Sequence, residues 1–317
     1  MYEAIKNFHM QFGFIPEIVY GEKLKKSYKR FIVAGMGGSG LAVRLFQAWK
    51  PGFPLLLHQG YGLPEIPEEE LSQALFIASS YSGNTEEVID AYKKAREHSL
   101  EAAAIDIGGK LLDLAEKDGT PHVILPDTHI QPRAAVGFSF VALLKIFGQG
   151  DAIEEASRLK DFLNKPQFES AGEKIAKNIG VAIPVIYASH QNDAVAYDWK
   201  VVFNETGKIP AFCNVFSELN HNEIIGYEEM SLAKNFCFIF LKDAGDHPRI
   251  QKRMDILENL FRARGLTVHT VQMEGGTRLE KIFSTVLLGN WVAFYIAKIY
   301  GHDPENTPII EEFKKLL

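Results

Sequence analysis

Short apolar runs alternate with amphipathic stretches along the first half of the chain, and this alternation limits the possible folds most strongly. The apolar runs, each five or six residues long, are residues 31–35, 53–58, 75–79, 102–106 and 122–126. Apolar residues have helical spacing over residues 41–50, 84–98, 109–118 and 133–148. Short continuous apolar runs are typical of strands buried on both faces. The pattern predicts an α/β fold with a doubly wound, mostly parallel sheet flanked by helices.

The second half of the chain repeats this architecture. Strands are predicted at residues 184–189, 209–216, 235–242 and 266–273, and helices at 191–205, 246–264 and 278–300. The segment GQGD interrupts the pattern near residue 150, and a charged helical stretch begins at Asp151. Because 317 residues exceed the usual single core of about 100 to 200 residues, we expect two domains, residues 1–150 and 151–317.

Composition excludes several classes of function. The chain is 46% hydrophobic and 23% charged, as ordinary globular proteins are, and its net charge is −6. No long run of Lys and Arg offers an electrostatic footprint for nucleic acid or an anionic membrane. The N-terminal segment lacks a signal-peptide pattern, and no apolar run approaches the roughly 18 residues that span a bilayer. We therefore expect a cytoplasmic protein without nucleic-acid or membrane partners.

A glycine-rich turn follows the first predicted strand. The segment GMGGSG, residues 35–40, has the G-x-G-x-x-G spacing of dinucleotide-binding folds. Such folds place an acidic residue after the next strand, whereas here that strand ends at His58. What remains is a turn in which Gly37, Gly38 and Ser39 can donate hydrogen bonds to an anion at a helix N-terminus. Alternatively, the glycines serve only to pack the helix closely against the sheet.

The third predicted strand runs into SSYSGNTEEV, a segment that crowds hydroxyl groups at the start of a helix. One N-cap residue, Thr85 or Asn84, would satisfy the helix, but this leaves Ser80 and Ser82 without a role. Several hydroxyls at the positive end of a helix form a suitable cradle for a phosphate monoester. We therefore predict a phosphate site that includes Ser80, Ser82 and Thr85.

The two loops together resemble a sugar isomerase (SIS) domain, which binds phosphosugars. Further segments match one family more selectively: PRAAVGFSF from Pro132, WKVVFNETGKIPAF from Trp199, ELNHNEIIGYE from Glu218 and the C-terminal FKKLL. These segments resemble the bifunctional phosphoglucose/phosphomannose isomerase family over residues 31–317. The resemblance implies two SIS domains, a homodimer with shared active sites, and interconversion of glucose 6-phosphate and mannose 6-phosphate with fructose 6-phosphate.

The resemblance also implies roles for individual residues. Glu205 matches the family's catalytic base, which moves a proton between C2 and C1 through a cis-enediol. His221 matches the histidine that opens the sugar ring and crosses the dimer interface to do so. Arg133 matches the arginine that stabilises the enediolate, and Lys314 the lysine that binds the sugar ring, with the adjacent Lys315 as an alternative. From the residues alone, a solvated glutamate at a helix end, next to Lys208, is the favoured interpretation of Glu205, and the match of the flanking segment reverses it.

One further match concerns substrate specificity, and three positions differ from the family. Thr307 lies seven positions before Lys314, where the family's threonine leaves space for both epimers. A threonine before Pro308 can also simply shape the turn. The chain has Thr206 and Gly207 where the family's common form has Asn-Ala, and Phe138 where tyrosine is usual. We expect these three differences to alter packing rather than chemistry.

The sequence has no H-E-x-x-H motif, no tight His/Asp cluster and no Walker lysine. Cys213 and Cys237 form neither a disulfide framework nor a zinc motif. We therefore expect no metal and no other cofactor. Two alternatives remain open: an SIS-type phosphosugar-binding regulator and an amino-sugar phosphate isomerase. The chain lacks the additional modules that such proteins normally carry.

Overall fold

The computed structural model describes residues 1–25 and 27–316, so residue 317, in the predicted C-terminal FKKLL match, lies outside the described residues. The chain divides into a first unit, Asn7–Phe162, and a second unit formed by Met1–Lys6 and Leu163–Leu317. The sequence places the change between domains near residue 150. The position of the boundary between independently folding domains stays a prediction.

The strands agree with the predicted apolar runs to within a few residues. They are β1 Arg30–Ala34, β2 Leu55–His58, β3 Ala74–Ser79, β4 Glu101–Asp106, β5 His122–Ile124, β6 Ile183–Ser189, β7 Phe212–Phe216, β8 Phe236–Lys242 and β9 Thr267–Gln272. The helices are α1 Tyr2–Lys6, α2 Gly37–Trp49, α3 Glu68–Ser72, α4 Glu86–Glu97, α5 Gly109–Asp118, α6 Val136–Ile146, α7 Gly150–Ser157, α8 Leu159–Phe162, α9 Gln167–Ile179, α10 Asp193–Glu205, α11 Met230–Ala233, α12 Pro248–Ala263, α13 Arg278–Ile299 and α14 Pro308–Lys314.

In the first unit, five strands form one sheet in the order β2-β1-β3-β4-β5, with every pair of neighbours parallel. All six residues of β3 are buried, as expected for a central strand covered on both faces. β1 and β3 are adjacent, so the loops that follow them meet at the same edge of the sheet. This is the edge at which ligands bind in open α/β sheets.

The second unit contains a four-stranded sheet in the order β7-β6-β8-β9, and these pairs are also parallel. The helix α10 follows β6 and returns along the sheet, because the next strand, β7, runs parallel to β6. Its last residue therefore lies toward the amino ends of the strands. The predicted fold class, two doubly wound sheets flanked by helices, is confirmed.

Four helices were not predicted: α1, α3, α9 and α11. α9 crosses α13 closely: a Cβ atom on Gly172 would lie only 2.4 Å from the Cβ of Trp291. α1 belongs to the second unit, where the Tyr2 ring packs edge-on against Trp291 at 5.3 Å between centroids. The first helix of the second unit is therefore supplied by the N-terminal end of the chain, although the rest of that unit begins at Leu163.

α13 is long and apolar enough to cross a membrane by length and composition alone. Its most apolar stretch is 78% buried inside the protein, where it packs among the other helices of the second unit. A mostly buried helix of this kind is typical of a core element, and it is weak evidence for a membrane span.

Candidate active site

The glycine turn after β1 lies against the segment that carries Arg133. A Cβ atom on Gly38 would lie 2.3 Å from the carbonyl oxygen of Pro132 and 3.0 Å from the amide nitrogen of Arg133. Only glycine permits this approach, so the glycine here serves contact between loops. Gly37 has a left-handed backbone with φ of +49°. Both observations explain the motif in terms of backbone geometry at the start of α2.

Ser39 and Arg133 are both buried, with exposed fractions of 4% and 3%. The hydroxyl of Ser39 accepts a hydrogen bond from the backbone amide of Tyr81 at 3.1 Å. The loop after β1 is therefore joined to the loop after β3. The structure brings the buried cation of Arg133, the glycine turn and the predicted hydroxyl cluster to one edge of the sheet.

Within the loop after β3, the hydroxyls form a connected set. The Oγ of Ser80 lies 2.8 Å from the Oγ1 of Thr85 and accepts a 3.4 Å hydrogen bond from the Thr85 amide. The Oγ of Ser82 accepts from the Asn84 amide at 3.3 Å. Thr85 is the N-cap residue of α4, but its side chain makes no capping hydrogen bond. The alternative that these hydroxyls serve only to cap the helix is therefore wrong for Thr85.

Asp106 is a buried carboxyl group close to this cradle that the sequence did not single out. It ends β4, next to the loop after β3, where the Ser80 amide donates to the Ile105 carbonyl oxygen at 2.9 Å. Burial raises the pKa of Asp106 to about 7. Its strand gave no signal of this, because one carboxylate at a strand end is common in surface turns.

In the second unit, Glu205 is the last residue of α10 and is half-buried. The following turn is tight: Thr206 is fully buried, and a Cβ atom on Gly207 would lie 2.8 Å from the carbonyl oxygen of Phe203. The Nζ of Lys208 donates a hydrogen bond to the backbone carbonyl oxygen of Glu205. Thr206 and Gly207 thus pack within the turn, and that these departures from the family leave the chemistry unchanged stays a prediction.

Glu205 and Thr307 line the same cavity, which has a volume of about 650 Å³. They are separated by 102 positions in the sequence (307 − 205), yet the fold places both around one space. The other residues that line it are Asn204, Lys208, His302, Asp303, Asn306, Pro308, Ile309 and Ile310. The sequence missed His302 and Asn306, because they lie in a turn without a recognisable motif.

Lys314 and His221 lie elsewhere. Lys314 ends α14, is largely exposed, and forms a 3.1 Å ion pair with Glu311. His221 is exposed at the end of a short 3₁₀ helix, Glu218–His221. Among the described residues, neither lines the cavity that contains Glu205. Their predicted roles stay predictions, and so does the choice between Lys314 and Lys315.

The described residues contain no group of three or more His, Cys, Asp or Glu side chains placed to hold a metal ion. Cys237 is buried in β8, and burial raises the pKa of its thiol to about 12, so the thiol is a core group rather than a ligand.

Two doubly wound sheets, with a glycine and hydroxyl crevice at the strand ends of the first, define an SIS-type protein. Residues 168–317 match the family model for the bacterial phospho-glucose isomerase C-terminal SIS domain. The chain is 34% identical to the bifunctional phosphoglucose/phosphomannose isomerase of Caldicellulosiruptor bescii, across 100% of this chain and 98% of that protein. It is 35% identical to the enzyme of the same name from Thermoplasma volcanium, across 91% of each. The chain belongs to the bifunctional phosphoglucose/phosphomannose isomerase family.

Solved structures support the fold. Glucosamine-6-phosphate deaminase from Thermotoga maritima superposes with a TM-score of 0.70 at 14% identity, covering 97% of each chain. At this identity the similarity concerns the fold alone.

Proposed function

We propose that this protein interconverts glucose 6-phosphate and mannose 6-phosphate with fructose 6-phosphate through a cis-enediolate, without a metal ion. The observation that carries the proposal is the cavity shared by Glu205 and Thr307 in a chain of this family. A carboxylate beside a space large enough for a sugar can remove the proton from C2 and return it to C1.

The phosphate group would bind at the crevice of the first unit. The amides of Gly37 and Gly38 and the hydroxyls of Ser39, Ser80, Ser82 and Thr85 are the donors in this proposal. The positive end of α4 adds a favourable field for a dianion. The buried guanidinium of Arg133, beside the glycine turn, would stabilise the negative charge that develops on the enediolate.

His221 would open the sugar ring in the active site of a partner subunit. Its exposure, and its place outside the lining of the Glu205 cavity, support action on a second copy of the chain. Its side chain suits a proton transfer because the pKa of an unperturbed histidine lies near neutrality. Lys314, at the exposed end of α14, would bind the ring oxygen or hydroxyls of the sugar. The enzyme would act as a homodimer in the cytoplasm, where sugar phosphates are formed.

A coupled assay on both aldose phosphates in the presence of EDTA tests this proposal. We expect turnover of both substrates, unchanged by chelation, while a zinc-dependent mannose-6-phosphate isomerase loses activity in the same buffer. Binding of phosphosugars without turnover would instead favour the regulator. Turnover of an amino-sugar phosphate alone would favour the second alternative.

Mixing two inactive variants tests the shared site. Glu205→Gln and His221→Ala subunits are each expected to be inactive, but a mixed dimer has one site with both native residues. Random exchange should restore about a quarter of the wild-type activity, because half of the dimers are mixed and each has one intact site of two. Absence of recovery, with exchange verified by mass spectrometry, would contradict a histidine that crosses the interface.

A further inference from the structure

Lys208 has a backbone conformation that ordinarily favours glycine. Its φ is +60°, in the left-handed region, where a side chain other than that of glycine is strained. The described residues include three other non-glycine positions of this kind, Tyr20, Ser99 and His129. Of the four, Lys208 is the one that lines the cavity with Glu205. A strained residue beside a candidate active site suggests that its side chain has a use.

The Lys208 side chain lies at the carbonyl end of α10. Its Nζ donates to the carbonyl oxygen of Glu205, the last residue of the helix. In a continuing helix that oxygen would accept from the amide of residue 209, but the Ile209 amide donates to Phe203 instead, at 3.2 Å. The ammonium group therefore satisfies a carbonyl oxygen that the tight turn removes from the helix ladder.

The same position is electrostatically unfavourable for a carboxylate. The C-terminal end of a helix has a partial negative charge, and Glu205 adds a full one there. Lys208, His302 and Asp303 are the other titratable residues that line the cavity. Of these, lysine is a permanent cation at neutral pH, and its ammonium is placed on the terminal carbonyl itself.

We propose that Lys208 is a positioning residue for Glu205. Its ammonium group offsets the negative end of α10 and holds the end of the helix, and with it the Glu205 side chain, in one geometry. This inference rests on the proposed role of Glu205 as the base. It differs from a purely structural role, because a turn with this backbone would be formed more easily by glycine.

The variant Lys208→Gly separates the two roles. Glycine relieves the backbone strain, so the melting temperature should not fall. We expect kcat to fall about tenfold with little change in KM, because a cation at a helix C-terminus is lost. Lys208→Arg keeps the charge and should restore kcat, whereas a purely structural role of the turn would not require the charge. Ser99→Gly is the matched control: it relieves a similar left-handed residue in the first unit and should leave all kinetic constants unchanged.

A second measurement does not depend on turnover. The Glu205 carboxyl group can be followed by ¹³C NMR, with its signal assigned by difference from Glu205→Gln, and this signal should broaden or split in Lys208→Gly because the end of the helix is no longer held in one geometry. An unchanged signal, or a loss of stability that Lys208→Arg does not restore, would overturn the proposal. An inactive wild-type protein whose Glu205 signal still broadens in Lys208→Gly would instead reject the proposed function and leave the positioning effect standing.

Discussion

The two sheets present different chemistry at equivalent edges. After β1 and β3, the first crevice is built from glycines and hydroxyls, residues 35–40 and 80–85. After β6 and β8, the second crevice is built from SHQND, residues 189–193, and DAGDH, residues 243–247. Within each sheet the two middle strands are parallel neighbours, β1 and β3 in the first and β6 and β8 in the second. The contrast therefore comes from the residues that follow these strands. One architecture thus carries glycines and hydroxyls at this edge in one unit and two buried carboxylates, Asp243 and Asp246, in the other.

The acidic groups of the second crevice are engaged in the fold. Asp243 pairs with Arg278 at 2.9 Å and with Lys281, and it is almost completely buried. Asp246 accepts from the Gln191 side chain at 2.7 Å. Because Asp243 is committed to two cations of the fold, we expect the second unit to contribute through the opposite edge of its sheet, where α10 ends at Glu205. The comparison shows that two sheets of the same kind differ in the residues that follow their strands.

The largest effect is expected for Asp243→Asn, which should destabilise the second unit by about 4 kcal/mol. Removing this carboxylate leaves the charges of Arg278 and Lys281 without their buried partner. Urea unfolding followed by tryptophan fluorescence in a Trp49→Phe background reports on the second unit through Trp199 and Trp291. A loss below about 1 kcal/mol, the usual range of a surface ion pair, would show that these carboxylates are not structural.

The same variant has a defined pH dependence. Burial alone would raise the pKa of Asp243, but the hydrogen bonds from Lys281 and the Gly245 amide, with the charges of Lys281 and Arg278, outweigh it and lower the pKa below its ordinary value. Asp243 therefore stabilises the fold above about pH 4, and this contribution is lost as the pH falls through the lowered value. The difference in stability between wild type and variant should shrink in strong acid. A constant difference would contradict the ion-pair explanation.

Glu205→Gln tests whether the amino edge of the second sheet carries the chemistry. The amide keeps the shape of the side chain and removes proton transfer, so kcat should fall by about 10² or more while inhibitor binding survives. Glu97→Gln, at the end of α4 in the first unit, is the matched control and should leave kcat unchanged. Turnover within a few-fold of wild type would exclude Glu205 as the base.

Ser82→Ala and His190→Ala compare the two crevices directly. Loss of a hydrogen bond to a phosphate dianion should raise KM for the phosphosugar about tenfold, with kcat little changed. His190 is exposed in the second crevice, and its removal should leave KM unchanged. If both variants gave the same KM, with both proteins folded, the assignment of phosphate to the first crevice would fail.

The smallest effect is expected for Thr307→Gln, which should reduce turnover of mannose 6-phosphate more than that of glucose 6-phosphate. The epimers differ at C2, so one base reaches both protons only if the bound chain can rotate about C2–C3. A longer side chain in the Glu205 cavity would restrict that rotation. Thr307→Ser keeps the space and should keep the ratio of the two activities. Equal losses in Thr307→Gln would show that Thr307 merely shapes the turn before Pro308.

The strands could be predicted because a buried strand has an apolar pattern within a short stretch of sequence. A strand covered on both faces, such as β3, must be apolar at every position, and this is visible in any short window. α9 was not predicted, although its apolar residues Phe168, Ala171, Ile175 and Ile179 have the spacing of one helix face. The membership of α1 in the second unit could not be predicted, since it depends on Tyr2 meeting Trp291.

In the predicted site, too, the features set by local sequence could be predicted and those set by the packing of distant segments could not. The two crevice loops were found because each is a motif that directly follows a strand, and neighbouring strands bring such loops together. The contact of the glycine turn with Arg133, and the cavity that joins Glu205 to His302, depend on how distant segments pack. No spacing in the sequence encodes them, so only the family resemblance pointed to Arg133 and Thr307.

The loop after β3 also limits how this protein could adapt to new substrates. A Cβ atom on Gly83 would lie 1.6 Å from the carbonyl oxygen of Gly108, and Gly83 itself has a φ of +65°. No side chain of any size can be introduced there unless two loops move together. Evolution or laboratory selection toward a larger ligand would therefore have to proceed through outward-facing positions such as Ser82, while the backbone beneath them is inherited unchanged.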